Sequence, residues 1–122
     1  MEQPKQYDLE ERTYIFARDC RNLIKQLMKT ITNIEDGKQL ARSSGSVPAN
    51  YIEANEALSK KDFLLRIKIS RKEAKESILW LRLIDIQDEK LEKERQRLLQ
   101  EATELMMIFG SILRKSEKIA TV

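Results

Sequence analysis

Apolar and small side chains recur near the start of the chain at Leu9, Thr13, Phe16, Cys20, Leu23, Leu27 and Ile31. The steps of three and four residues mark one face of an α-helix. Ala17, Ile24 and Met28 widen that face beyond a narrow coiled-coil seam. The pattern predicts a helix over residues 9–30. Asp8 is its N-cap, and Glu11 three residues on completes a capping box. Glu10 and Glu11 at its start and Lys25 and Lys29 at its end suit the helix dipole.

A second run, Leu40, Ser44, Val47, Tyr51, Ala54 and Leu58, keeps helical spacing through Ser43-Ser44-Gly45-Ser46-Val47-Pro48. Gly, Ser and Pro ordinarily punctuate helices, and Pro48 cannot donate to the carbonyl of Ser44. Because the period persists on both sides, the reading is one helix over residues 34–57, kinked near Pro48. Two short helices are the alternative. Ser59-Lys60-Lys61-Asp62 is a capping box with Asp in place of Glu, and it opens a third helix over residues 60–85. Phe63, Ile67, Ser70, Ala74, Ile78, Leu81 and Asp85 form its main stripe. Leu65, Ile69, Leu79, Leu83 and Ile86 add a second apolar strip, so this helix is either central or faces a subunit partner. Leu91, Arg95, Leu98, Ala102, Leu105, Phe109 and Ile112 define a fourth helix over residues 89–118. Its start is acidic, Arg114, Lys115 and Lys118 lie at its end, and residues 119–122 are expected to fray.

No alternating strand pattern or internal repeat competes with these four periods. Connections of about three to five residues make neighbouring helices antiparallel. The expected fold is all-α: a single-domain, up-down-up-down, antiparallel four-helix bundle. Its interior should hold Phe16, Leu23, Leu27, Leu40, Val47, Tyr51, Phe63, Ile67, Ala74, Ile78, Leu81, Leu98, Leu105 and Phe109.

Composition narrows the chemistry. At 122 residues the chain is one domain, and 35% charged residues with 3 Gly and 2 Pro exclude collagen-like and disordered classes. No apolar run is long enough to span a bilayer, and Met1-Glu2-Gln3-Pro4-Lys5 lacks a signal core. A lone cysteine excludes an internal disulfide framework and fits a reducing, cytoplasmic setting. The chain has no histidine. That removes Ser-His-Asp and Cys-His catalysis, His-bearing zinc sites and the Glu-x-x-His di-iron bundle. No Gly-rich phosphate cradle is encoded. No catalytic residue, metal site or cofactor is therefore expected. Cys20 lies on the apolar stripe as a buried, inert thiol.

Charge is uneven along the chain. Net charge is +3 overall, but residues 59–84 alone carry 8 basic and 3 acidic groups. Lys61, Lys68, Lys72 and Lys75 fall on one side of the third helix and form a candidate phosphate-binding ridge. No aromatic residue interleaves the ridge, so base stacking is not indicated. The competing reading is a solvated helix face. Trp80 lies off the main stripe, beside Ile69 and Leu83, where it could anchor a subunit interface or cap the side of the bundle. The second helix carries Arg42, Ser46, Asn50, Glu53 and Ala57 opposite its apolar face. Small and amide-bearing residues there suit close approach by another chain, or a short polar outer face.

Two stretches carry a family resemblance. Gly37-Lys38-Gln39-Leu40-Ala41-Arg42-Ser43-Ser44-Gly45-Ser46-Val47-Pro48-Ala49-Asn50-Tyr51-Ile52-Glu53-Ala54 resembles the signature G-K-Q-L-x-R-S-x-x-S-[IV]-x-x-N-x-x-E-[AG]. Ser59-Lys60-Lys61-Asp62-Phe63, Ser70 through Glu76 and Trp80-Leu81 resemble S-K-x-D-F, [SA]-x-x-E-x-x-E and W-L. Together they resemble bacterial four-helix-bundle proteins encoded within intervening sequences of 23S ribosomal RNA genes. A related branch serves retroelement reverse transcriptases as an accessory factor. The resemblance implies an antiparallel bundle, rings commonly of five subunits, basic surfaces that bind nucleic acid in the related branch, and no established catalytic residues. It also implies one continuous second helix. Arg42, Ser46, Asn50, Glu53, Glu73 and Glu76 become a polar network between helices or subunits, with Glu73 or Glu76 the carboxylate for a buried Arg42.

The expected function is a non-enzymatic, homo-oligomeric, pentameric helical bundle. Structured RNA or another nucleic acid is a further candidate partner, at the ridge of Lys61, Lys68, Lys72 and Lys75. The alternative is an adaptor or scaffold that docks another protein and touches no nucleic acid. No membrane partner is expected.

Overall fold

Short polar side chains open every helix of the computed structural model, which describes residues 8–121, with side chains through Glu117. At the head of α1 (Leu9–Gln26), Asp8 accepts from the Glu11 N–H at 3.0 Å. Thr30 accepts from the Asn33 N–H at 3.1 Å and starts α2 (Ile31–Asn55). Ser59 does the same for α3 (Lys60–Leu83) through the Asp62 N–H at 3.0 Å. Asp88 accepts from the Lys90 N–H at 2.7 Å before α4 (Glu89–Thr121). Each cap satisfies an amide that the first helical turn leaves without a partner.

The ends differ from the periodicity in ways that packing explains. α1 stops at Gln26, not at residue 30, because Leu27 turns extended at ψ 151°. Its side chain still enters the core at 7% exposure, so the apolar period outlasts the helix. Ile31, placed by spacing on the first stripe, instead opens α2 and is 83% exposed. α2 begins at Ile31 rather than residue 34, since Thr30 supplies a cap. It ends at Asn55 and runs through Pro48 as a single element, so the two-helix alternative does not occur. α3 ends at Leu83, two residues before the expected boundary, and α4 continues to Thr121. Residues 1–7 and Val122, with the expectation made for Met1–Lys5, lie outside the described residues. So do the side chains of 118–122, including that of Lys118.

The helices pack α1 on α2, α2 on α3, α3 on α4, and α4 back on α1. This is the four-helix bundle expected from the pattern. Phe16, Leu23, Leu40, Val47, Ile67, Ala74, Leu81, Leu98, Leu105 and Phe109 are buried at its centre. Tyr51, Phe63 and Ile78 are only partly buried and pack against that core. The Tyr51 and Phe109 rings meet at 6.0 Å, tilted by 46°. Ion pairs stitch α1 to α4. Arg12 holds Glu101 and Glu104, both at 2.7 Å, and Arg97 reaches Asp19 at 2.8 Å.

Two polar side chains fix one end of the bundle. The buried Asn33 amide donates to the carbonyls of Met28 and Asp85, each at 3.0 Å, and its oxygen accepts from the Asp85 N–H at 2.8 Å. Arg95, which interrupts the apolar stripe of α4, donates from Nη1 to the carbonyls of Leu81 and Ile84 at the end of α3. It thereby supplies donors for carbonyls that the helix end leaves open. No helix among the described residues is long and apolar enough to cross a membrane.

Candidate interaction surface

Small side chains bring α2 and α3 together. Ser43, Ser44, Ser70, Ala74 and Ser77 are all buried between apolar neighbours. Ser70 Oγ donates to the carbonyl of Val47 at 3.1 Å, a contact only a short side chain permits. Ser77 Oγ donates to the carbonyl of Glu73 at 2.9 Å and lies 2.8 Å from Ser43 Oγ. A hydroxyl has one proton, so Ser43 is the donor to Ser77. The buried hydroxyls are satisfied and hold the two helices in register.

The close approach places a polar chain on the outer side of the same pair. Arg42 Nη2 contacts Glu76 Oε2 at 2.8 Å and Glu73 Oε1 at 3.4 Å. Trp80 Nε1 donates to the same Glu76 oxygen at 3.2 Å. Burial pushes the Glu76 carboxyl up, but the donors Arg42 and Trp80 outweigh it and hold the group below the usual carboxylate range. Glu76 and then Glu73 hold the Arg42 guanidinium above its ordinary value. About two turns along α2, Asn50 donates to the Ser46 carbonyl and hydroxyl at 3.0 Å and accepts from Arg66 Nη1 at 3.0 Å.

The structure therefore joins Arg42, Glu73, Glu76 and Trp80 in one cluster and Ser46 and Asn50 in another. Glu53 is exposed and belongs to neither among the described residues. Arg42 does find both candidate carboxylates. Its burial requires correction: the side chain is 49% exposed, because the small residues of α2 set it at the rim of the helix pair rather than between helices. Arg66 was not singled out from the sequence. Its only local signal is Asp62 one turn before it, now 3.9 Å away, and its contact with Asn50 depends on the distance between helices.

Beyond this cluster lies the outward side of α3. Leu65, Leu79 and Leu83 are 51%, 45% and 50% exposed there, with Ile69 half-buried. Among the described residues α3 packs only on α2 and α4, so no described helix covers the second apolar strip. Positions 65, 69, 72, 76, 79 and 83 advance by 4, 3, 4, 3 and 4 residues, the spacing of a helix-pairing seam. Lys72 and Glu76 occupy its middle. Lys61, Lys68, Lys72 and Lys75 are all exposed, and none has a carboxylate within 4.0 Å among the described residues.

No described cluster of three or more His, Cys, Asp or Glu is placed to hold a metal. Cys20 is buried, and desolvation pushes its thiol up to about 12, with the Ser44 hydroxyl only partly opposing the shift.

A family model described as 23S rRNA-intervening sequence protein matches residues 5–111. The chain is also similar to a protein of unknown function from the S23 ribosomal protein family of Bacteroides thetaiotaomicron, solved by crystallography. That structure superposes with a TM-score of 0.71 at 28% identity, over 85% of this chain and 96% of the other. No curated protein is significantly similar.

Proposed function

The chain belongs to the 23S rRNA-intervening sequence protein family, and from that premise we propose that it is a non-enzymatic assembly module whose copies associate into a ring of five. One observation carries this reading. The outward strip Leu65, Ile69, Leu79 and Leu83 has the spacing of a helix-pairing seam and no helix over it among the described residues. Half-exposed leucines in such a row favour burial against another surface. The flanking polar cluster of Arg42, Glu73, Glu76 and Trp80 supplies direction to an otherwise greasy contact. The ring size comes from the family resemblance.

Absolute mass in solution tests it. A mass near five times 14.3 kDa is expected. Leu79→Asp and Leu83→Asp should each reduce it to the chain mass with unchanged far-UV circular dichroism. A wild-type mass of 14.3 kDa at all concentrations overturns the reading.

A second reading adds nucleic acid. The exposed ridge of Lys61, Lys68, Lys72 and Lys75 has no acidic partners among the described residues, which supports phosphate contact at its surface. Binding of structured RNA should then weaken steeply with salt. No retardation at low salt would leave the protein-docking alternative.

A further inference from the structure

Gly110 lies in the interior of α4, where glycine is a poor choice on backbone entropy alone. It is buried, and a methyl group at that position would lie 3.4 Å from Arg71 Nε and 3.4 Å from Arg114 Nη1. Arg71 comes from α3 and Arg114 from the next turn of α4. Both side chains thus converge on one bare stretch of helix backbone. The two nitrogens are at most about 6.8 Å apart, twice 3.4 Å.

Like charges held this close in a protein normally share a counter-charge. None is at hand among the described residues. No described carboxylate lies within 4.0 Å of either guanidinium, although Arg12, Arg42, Arg66, Arg95 and Arg97 all have one. On α3, Lys68 and Lys75 lie about one turn to either side of Arg71 and add positive potential, while the carboxylate nearest in sequence, Glu73, is engaged by Arg42 at 3.4 Å. On α4 the nearest carboxylate in sequence is Glu117, and it is not within that distance of Arg114. The two arginines border a shallow groove of about 410 Å³ with Ser111 on its rim and Met106 and Met107 along its side.

We propose that Arg71 and Arg114 form a two-armed clamp for a phosphoryl group seated over Gly110. Charge-assisted N–H···O bonds of about 2.8 Å, one from each guanidinium to different oxygens of a single tetrahedral oxyanion, span a gap of this width. Arginine suits the task because its planar fork offers paired donors to phosphate and stays charged. Gly110 gives the anion room to approach, and the Ser111 hydroxyl is a further donor at the rim. The site lies on the α3–α4 side and rests on neither the self-association of α3 nor the lysine ridge.

The probe is inorganic phosphate, titrated at low ionic strength into the isotopically labelled full chain and followed by NMR. Saturable shifts of the Gly110 amide and of the Arg71 and Arg114 Nε–H signals are expected, with one phosphate per chain. Arg71→Gln and Arg114→Gln should each weaken binding roughly tenfold or more. Arg82→Gln makes the same charge change on α3 three turns away and should leave the affinity within about twofold. Gly110→Leu keeps every charge but fills the seat, and should abolish the saturable shifts while the helical spectrum is retained. Equal weakening by Arg82→Gln, or full binding by Gly110→Leu, would reduce the effect to general attraction and overturn the site. Absence of saturable shifts in the wild type overturns it as well. Competition by a short oligoribonucleotide would assign the phosphoryl group to a strand, and its failure to compete would assign it to a free anion.

Discussion

Arg95 and Arg97 sit two residues apart on α4, yet the structure gives them opposite energetic weights. The Arg95 side chain is 16% exposed and aims into the end of α3, where Leu81 and Ile84 are 0% and 2% exposed. Replacing it with Met keeps most of the aliphatic stem and removes the donors. Two backbone carbonyls in a nearly dry setting then lose their partner, at about 1–2 kcal/mol each. The expected cost is therefore about 2–4 kcal/mol, or a fall in melting temperature of roughly 6–16 °C for a chain of this size. Arg97→Met is the control. That side chain is 51% exposed, and its pairs with Glu94 and Asp19 are surface contacts, worth about 1 kcal/mol or less despite a guanidinium held well above its ordinary value. Thermal and urea denaturation at several protein concentrations separate folding from any association. The reasoning is refuted if Arg95→Met costs no more than Arg97→Met. Hydrogen exchange adds a local check, since protection should fall first in the last turn of α3.

Three other outcomes follow from the same geometry. Arg42→Ala should cost about 0.5–1 kcal/mol at neutral pH, because half the side chain is in water. Glu76 has a depressed folded pKa, so its stabilisation is present above the unfolded value of about 4.3 and lost as pH falls through the folded value. The gap between wild type and Arg42→Ala should therefore close in acid, and a gap that persists at pH 2 contradicts the assignment. Ser77→Ala should cost about 1–2 kcal/mol, since the Ser43 hydroxyl is then left with a carbonyl 3.5 Å away. The double variant Ser43→Ala/Ser77→Ala should cost less than the two single costs together, which a double-mutant cycle reads directly. Cys20 should resist thiol reagents at pH 8 in the native state and react fully in denaturant. Its thiol stays protonated when folded while the unfolded thiol ionises near 8.5, so stability should fall by up to about 1.4 kcal/mol per pH unit above that. Rapid native labelling would contradict the burial.

The sequence made local features legible and left reach invisible. Asp8 and the Ser59–Asp62 box act within one turn, so spacing alone locates them. The buried positions of α2, α3 and α4 follow from period because helical geometry maps spacing onto a face. Leu27 shows the limit: a residue can keep its place in the core after the helix has ended. Family resemblance drew Arg42 toward Glu73 and Glu76, which periodicity could not have paired. Arg66, Arg95 and the Arg71–Arg114 convergence depend on how far apart two helix axes sit. Long side chains turn that separation into contacts, and small buried residues such as Ser70 and Ser77 set it between α2 and α3.

Asn33 has a kinetic consequence. Its side chain bonds Met28, in the first chain reversal, and also Asp85, in the last, which lies 52 residues beyond Asn33 in sequence. Each helical hairpin can form from its own local contacts, but this amide finds both partners only after the two hairpins have docked. Bonds that wait for docking are expected to act on unfolding more than on folding, so Asn33→Ala should raise the unfolding rate in stopped-flow measurements and leave the folding rate near its wild-type value; the persistence of the folded chain would then depend in part on one side-chain amide.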